Sequence, residues 1–258
     1  MQASEMAEQS NLQTRQTVQP LPKRLTAILV ALLLYVASQG ISLLHVARFF
    51  FPEQVLSVYA WIGVYEHHLW QLAAALCFIA IFGRSRFSDW GLNLRNTSLS
   101  WHIFLKFCVV CSPIMVIAVI VPALRSHNID LGIFAPTTIR NIIGWLSFEW
   151  LFVGISEEIL FRGFIQTYLA QSWVGVLRIK GLSFSHAGLL TTILFCLAHI
   201  NPLHPHIDWE QQFFAFGLGL YYSEVYRRTG SLLNPILAHN FSDGLAVTLQ
   251  YLIYFHLH

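Results

Sequence analysis

An all-α fold, a polytopic transmembrane helical bundle of about seven spans enclosing an intramembrane polar cavity, is what three features of this sequence predict. Hydrophobic residues make up 55% of the chain and aromatic ones 14%, but charged ones only 11%, against about 25% in an ordinary soluble domain. Seven stretches are apolar over lengths near the roughly 20 residues that carry a helix across a hydrocarbon core. The polar groups that stand out within them fall in three places: at Glu157 and Glu158 with Arg162, at His199, and at His239 with Asp243. Ionisable groups are costly in lipid and mark function by default, so three such insertions point to one buried polar centre.

Residues 1–20 are polar, rich in Gln, Ser and Thr, and read as a flexible cytosolic tail, with residues 21–258 forming the transmembrane domain. The first apolar run starts too late and is too long for a signal peptide. The expected spans are 25–44, 61–82, 107–124, 141–169, 181–207, 211–226 and 233–255. The first, third and fifth carry no Asp, Glu, Lys or Arg, whereas Glu66, Glu149 with the Glu/Arg group, Glu224 and Asp243 mark the others. An interfacial helix is a further expectation near residues 90–106.

Loop charge gives the orientation, because Lys and Arg gather on the cytoplasmic side. With the amino terminus inside, Arg15, Lys23, Arg24, Arg84, Arg86, Arg95, Lys106, Arg178, Lys180, Arg227 and Arg228 are cytoplasmic, and only Arg48, Arg125 and Arg140 lie outside. The carboxyl terminus is then external. A net charge of +2 leaves no surplus for nucleic acid, since its positives sit where topology needs them. A compact chain of this kind leans toward a bacterial inner (plasma) membrane. Cys77, Cys108, Cys111 and Cys196 all fall in expected spans, and the C-x-x-C at Cys108 and Cys111 has two valines inside and no second pair, the pattern of small packing residues.

Residues four apart share a helix face and adjacent ones do not. Glu158 and Arg162 therefore stack, acid before base, and neutralise one another. Glu157 is turned away, a carboxylate without an obvious partner and so the one free to act as a general base. The same spacing puts Phe195 with His199, and His239 with Asp243, on common faces. An imidazole exchanges protons near neutral pH, and a carboxyl neighbour fixes the direction of its N–H. Asn234 and Pro235 suit the N-cap and first position of the last helix. Depth arithmetic at about 1.5 Å per residue leaves His199 too deep to meet Glu157 and His239 unless the fifth span starts near Ser185 or His186, or its neighbours are tilted or short. Singly, each group has a plainer reading: a helix-packing network, a cap at His199, an interhelical hydrogen bond at His239 and Asp243. Their conjunction in one lipid-embedded chain argues for a site.

The order E-E-x-x-x-R, F-x-x-x-H, H-x-x-x-D/N resembles the CAAX protease and bacteriocin-processing family, also called CPBP or Abi, whose eukaryotic relatives are the Ras-converting CAAX prenyl proteases. The matching text is residues 157–163, residues 195–199, and Thr229-Gly230-Ser231-Leu232 leading to Pro235-Ile236-Leu237-Ala238-His239, with Asp89-Trp90-Gly91-Leu92 also similar. The resemblance implies an intramembrane glutamic endopeptidase with no cofactor, acting on membrane-associated peptides or proteins. Glu157 and His199 would activate a water, His239 and Asp243 would form the oxyanion site, and Glu158 and Arg162 would support it. The family accepts Asn or Asp at the last position. An ionised Asp243 would repel an oxyanion, so its expected part is to orient His239. Asn240, on a different face, should not substitute.

Other chemistries are weaker. A metalloprotease needs at least three ligands, and His199, His204, His206 and Asp208 lie close together, but along a proline-bearing outer loop. Cys196 and His199 are spaced as near neighbours on a helix, as a cysteine protease would require. The alternative function is a non-catalytic membrane scaffold or bacteriocin-immunity protein of the same fold. A transporter is a third, against which stands the lack of an evident inverted repeat.

Overall fold

The computed structural model describes residues 20–42, 46–127, 129–200 and 207–258. The tail up to residue 19, and His204 and His206 of the weighed metal site, lie outside the described residues. Among the described residues a helix lies within each segment expected to span: α1 (Leu21–Ser42), α2 (Ala60–Phe82), α3 (Thr97–Ser126), a continuous run α4 over 139–170, α5 (His186–Ala198), α6 (Trp209–Thr229) and α7 (Leu233–Leu257). Side chains cap several of them. Thr138 accepts from the Asn141 amide at 3.3 Å, Ser185 from Gly188 at 3.0 Å and Asp208 from Gln211 at 3.1 Å, each satisfying a first-turn N–H that has no helical partner.

Among the described residues two helices, α1 over Leu21–Gly40 and α3, are long and apolar enough to cross a membrane. Both turn large apolar side chains outward: Leu29, Leu33 and Val36 on α1, and Val109, Val110 and Ile117 on α3, are all more than half exposed. Such continuous apolar faces do not suit a water-facing surface. They suit lipid, where no hydrophobic force drives them inward.

α4 lies at the centre. Leu160, Phe161, Phe164, Ile165 and Leu169 are fully buried against Ala27 and Ala31 of α1, Ala75 and Ile79 of α2, and Ala187, Leu194 and Phe195 of α5. α7 packs along α3 and along the first half of α4, and α5 packs on α6. Small residues on α1 and α2 let these helices approach the aromatic face of α4 closely.

Three boundaries differ from expectation. The stretch 181–207 is not one span: its start forms the second strand of a hairpin, β1 (Val176–Ile179) with β2 (Leu182–Ser185), antiparallel and turning at Lys180 and Gly181, both with positive φ (48° and 83°). Two positive φ values in a two-residue loop match the twist of a tight hairpin. α5 therefore begins at His186 behind its Ser185 cap, one of the adjustments that depth arithmetic called for, and its 13 residues reach about 20 Å. Near residues 90–106 there is a short 3-10 turn, Phe87–Trp90, before α3 starts. The last helix begins before Asn234: the Ser231 hydroxyl accepts from the Leu233 amide at 3.2 Å, while Asn234 Nδ2 donates to the Ser100 carbonyl at 2.7 Å, tying α7 to α3. Asn234 is thus a buried strut, not the cap.

The Asp89-Trp90-Gly91-Leu92 text braces α4. Trp90 stacks on Phe164 with ring centroids 5.6 Å apart, and the Gly91 carbonyl accepts from the Leu232 amide at 2.9 Å. Gly91 has φ 85°, and a methyl group there would come within 2.5 Å of the Tyr226 ring and 2.9 Å of Leu232. Gly91→Ala is expected to cost about 2–3 kcal/mol from backbone strain plus overpacking, against about 1 kcal/mol for Gly230→Ala, which has φ 65° and open space around it. Thermal unfolding of both variants in detergent checks the order.

Candidate active site

The site is built on α4, whose α-helical hydrogen bonding is interrupted twice by π segments. Ordinary α segments at Ile139–Ser147, Val153–Glu158 and Thr167–Ala170 alternate with π segments at Phe148–Phe152 and Ile159–Gln166. π insertions in an α-helix concentrate at functional sites, because they trade regular packing for a changed side-chain direction. The single α segment between the two π segments ends on Glu157 and Glu158.

Glu158 is the hub. Its Oε1 receives Arg162 Nη1 at 2.7 Å and His239 Nδ1 at 2.7 Å. Glu158 and Arg162 are both fully buried, as the stacked spacing predicted. Arg162 Nη2 also donates to the Gly219 carbonyl at 3.2 Å, and the guanidinium lies 4.6 Å from the Phe195 ring centre and 5.2 Å from that of Tyr222. A buried ion pair is tolerable only when further partners compensate lost water. Here a carbonyl, two aromatic faces and a histidine do so.

His239 is held on every side. Nδ1 is on Glu158, Nε2 lies 3.2 Å from Asp243 Oδ2, and the ring stacks on Tyr222 at 5.1 Å and 13°. The Tyr222 hydroxyl meets Ser242 Oγ at 2.9 Å, and Ser242 Oγ is 3.0 Å from Asp243 Oδ1. Carboxylate oxygens accept, so both contacts are satisfied when both ring nitrogens carry hydrogen. Asn240 faces elsewhere and accepts from the Gly154 amide at 2.7 Å, fastening α7 to α4.

Glu157 contrasts with its neighbour. Its Oε2 is 3.7 Å from His239 Nε2 and its Oε1 is 3.9 Å from His68 Nε2, both beyond direct hydrogen-bond length. Oε2 is buried with no hydrogen-bond partner among the described residues. The division read from spacing, one bound glutamate and one free, is what the geometry contains. Glu158 does more than expected, however, since it grips His239 as well as Arg162.

His199 follows the end of α5, with its ring 4.7 Å from Phe195. Its Nδ1 is 2.8 Å from the Phe195 carbonyl. A carbonyl only accepts, so Nδ1 carries the hydrogen, and in the neutral form of the ring Nε2 is left as an acceptor. His199, His239 and Asp243 line a cavity of about 380 Å³ together with Glu149, Phe195, Tyr222 and Met115. No hydrogen bond joins His199 to Glu157 among the described residues, so that pairing is not direct.

Residues 139–245 match the family model described as Type II CAAX prenyl endopeptidase Rce1-like. This segment is an Rce1-like domain. The match supports the resemblance to the CAAX protease family expected from three motifs, and Glu157, Glu158, Arg162, His199, His239 and Asp243 all fall inside the matched span. No curated protein and no solved structure matches the chain. The family match and the lipid-suited helices together point to an integral membrane protein.

Three further residues reach the site, of which the sequence had marked only Glu149, as an acidic residue within its span. His68 reaches it from α2, Tyr222 from α6, and Glu149, buried and on the cavity wall, from the first π segment. Tyr222 has no local signal, as aromatic residues are common on every span. The run Glu66-His67-His68 inside an apolar helix was the visible sign for His68, but its partners Ser156 and Glu157 are far away along the chain.

Proposed function

We propose that this chain is an intramembrane endopeptidase of glutamic type, hydrolysing a peptide bond in a membrane-associated protein or peptide. Its seven helices span or enter a bacterial inner membrane, with the amino terminus cytoplasmic, and enclose a polar cavity at the level of Glu157. The observation that carries the reading is a buried Glu157 oxygen without a hydrogen-bond partner among the described residues, 3.7 Å from an imidazole nitrogen that other groups hold in place.

Glu157 removes a proton from water as that water attacks the scissile carbonyl carbon, and His199 Nε2 positions the water. His239 donates its Nε2–H to the oxyanion, with Glu158 accepting from Nδ1 to fix the ring and Asp243 holding the Nε2–H until the carbonyl oxygen arrives. Glu157 then gives its proton to the leaving amine. No covalent enzyme intermediate forms.

Asp243 enters this scheme as an acceptor that aims His239. Asparagine also offers an oxygen there, so Asp243→Asn is expected to keep kcat within about tenfold, while Asp243→Ala loses on the order of 10²-fold. Steady-state rates of the two variants check this, and equal rates would remove Asp243 from the oxyanion site.

The deciding experiment compares the termini of membrane peptides by mass spectrometry in cells carrying wild type or Glu157→Ala at matched expression. New termini found only with wild type establish a Glu157-dependent protease and expose its substrate. Identical termini, with both proteins folded in the membrane, would instead favour a partner-binding or immunity role.

A further inference from the structure

His68 stands outside the three motifs and outside the matched span of 139–245, yet it faces Glu157. It lies on α2, which packs along α4, and its side chain is 10% exposed. Phe148 meets the ring edge-on at 4.9 Å and His67 lies 5.2 Å away, so the ring is not free to turn.

The hydrogen bonds around it fix where its proton sits. His68 Nδ1 is 2.8 Å from Ser156 Oγ, and that hydroxyl donates its own hydrogen to the Val153 carbonyl at 2.9 Å. Ser156 Oγ therefore accepts from His68, Nδ1 carries the hydrogen, and the neutral ring's Nε2 carries a lone pair. That lone pair is 3.9 Å from Glu157 Oε1. The distance is too long for a direct bond in this structure, yet short enough for one water to touch both atoms. Ser156 sits next to Glu157 in the chain, so the residue that sets the tautomer and the residue that uses it move together on one turn of α4.

We infer that His68 is a positioning residue for Glu157, resting on the peptide-hydrolysis reading above. Glu157 takes one hydrogen from the attacking water and must hold it until the carbon–nitrogen bond breaks and the amine nitrogen receives it. During that interval the protonated carboxyl needs an acceptor that does not keep the proton. The Nε2 lone pair of His68, reached directly or through one water, is that acceptor, and it leaves the other carboxyl oxygen toward His239. His68 touches no reacting atom and acts only through Glu157.

Two substitutions separate this role from packing. Gln at position 68 sets an amide oxygen near the place of Nε2, whereas Asn preserves a donor to Ser156 and offers nothing to Glu157. In the full-length protein in detergent, with a prenylated CAAX peptide as probe, His68→Asn should lower kcat on the order of 10²-fold with KM unchanged. His68→Gln should recover most of that loss. A Gln variant no faster than the Asn variant, or a loss that lies in KM, overturns the inference. The Glu157→Gln protein is the reference: a wild type no faster than this variant sinks the proposed function itself, whereas a Glu157-dependent rate that fails to distinguish Gln from Asn sinks only the part given to His68.

Discussion

Glu157→Gln should abolish peptide hydrolysis, lowering kcat by about 10³-fold or more, while leaving thermal stability within roughly 0.5 kcal/mol of wild type. The amide has the shape of the carboxylate but cannot take a proton, so the general-base step is lost. Stability is spared for a reason visible in the geometry: among the described residues Glu157 makes no direct hydrogen bond, with 3.7 Å and 3.9 Å to its two histidine neighbours. No partner is orphaned by the change, and orphaned partners are where most of the cost of polar substitutions arises. Glu158→Gln, one position on, should behave differently, because Arg162 and His239 both point at Glu158 Oε1 and a neutral amide cannot balance them. A folded Glu157→Gln protein that turns over at the parental rate would end the glutamate-base mechanism. Equal stability losses at 157 and 158 would contradict the division of labour between the two.

That division was legible in the sequence because it follows from rotation alone. Adjacent helical residues face about 100° apart, so Glu158 could stack on Arg162 and Glu157 could not. The His239 to Asp243 contact was legible for the same reason, and its 3.2 Å separation is an interaction within one helix. What rotation could not supply was any contact between helices. The grip of Glu158 on His239 joins positions 81 apart, and the Ser156 to His68 bond joins positions 88 apart. Neither has a local signature.

The misjudged elements have local causes too. In 181–207 the apolar run hid the alternation Leu182-Ser183-Phe184-Ser185, whose strand pattern is short and ends where the Ser185 cap begins. Asn234 and Pro235 fit a helix start by residue type, but Ser231 is closer to the free amides and Asn234 is drawn instead to a carbonyl on α3. A competing partner from another helix overrode a sound propensity. The π segments of α4 were invisible altogether, since the sequence pattern of a π insertion is that of any apolar helix.

Arg162→Met is the substitution expected to damage the fold most. Arg162 and Glu158 are both fully buried, and removing the cation leaves a carboxylate inside the protein with only His239 to balance it. Breaking a buried pair on one side costs about 3–5 kcal/mol, because the surviving charge is uncompensated. Glu158 Oε2 already lacks a partner among the described residues, so no second contact softens the loss. The double substitution Glu158→Gln with Arg162→Met removes both charges, and it should be more stable than Arg162→Met alone, since a neutral buried site avoids the desolvation that an unpaired ion incurs. The amide introduced by Glu158→Gln still offers an oxygen to His239 Nδ1, so the ring stays placed but loses its nearest negative charge. Stability and activity should therefore part company, with the double variant recovering much of the fold and little of the rate. Chemical unfolding in detergent measures the first and peptide cleavage the second. A cost below about 1 kcal/mol for Arg162→Met, the range of solvent-exposed pairs, would mean that water reaches Glu158 and that the support beneath His239 is wet.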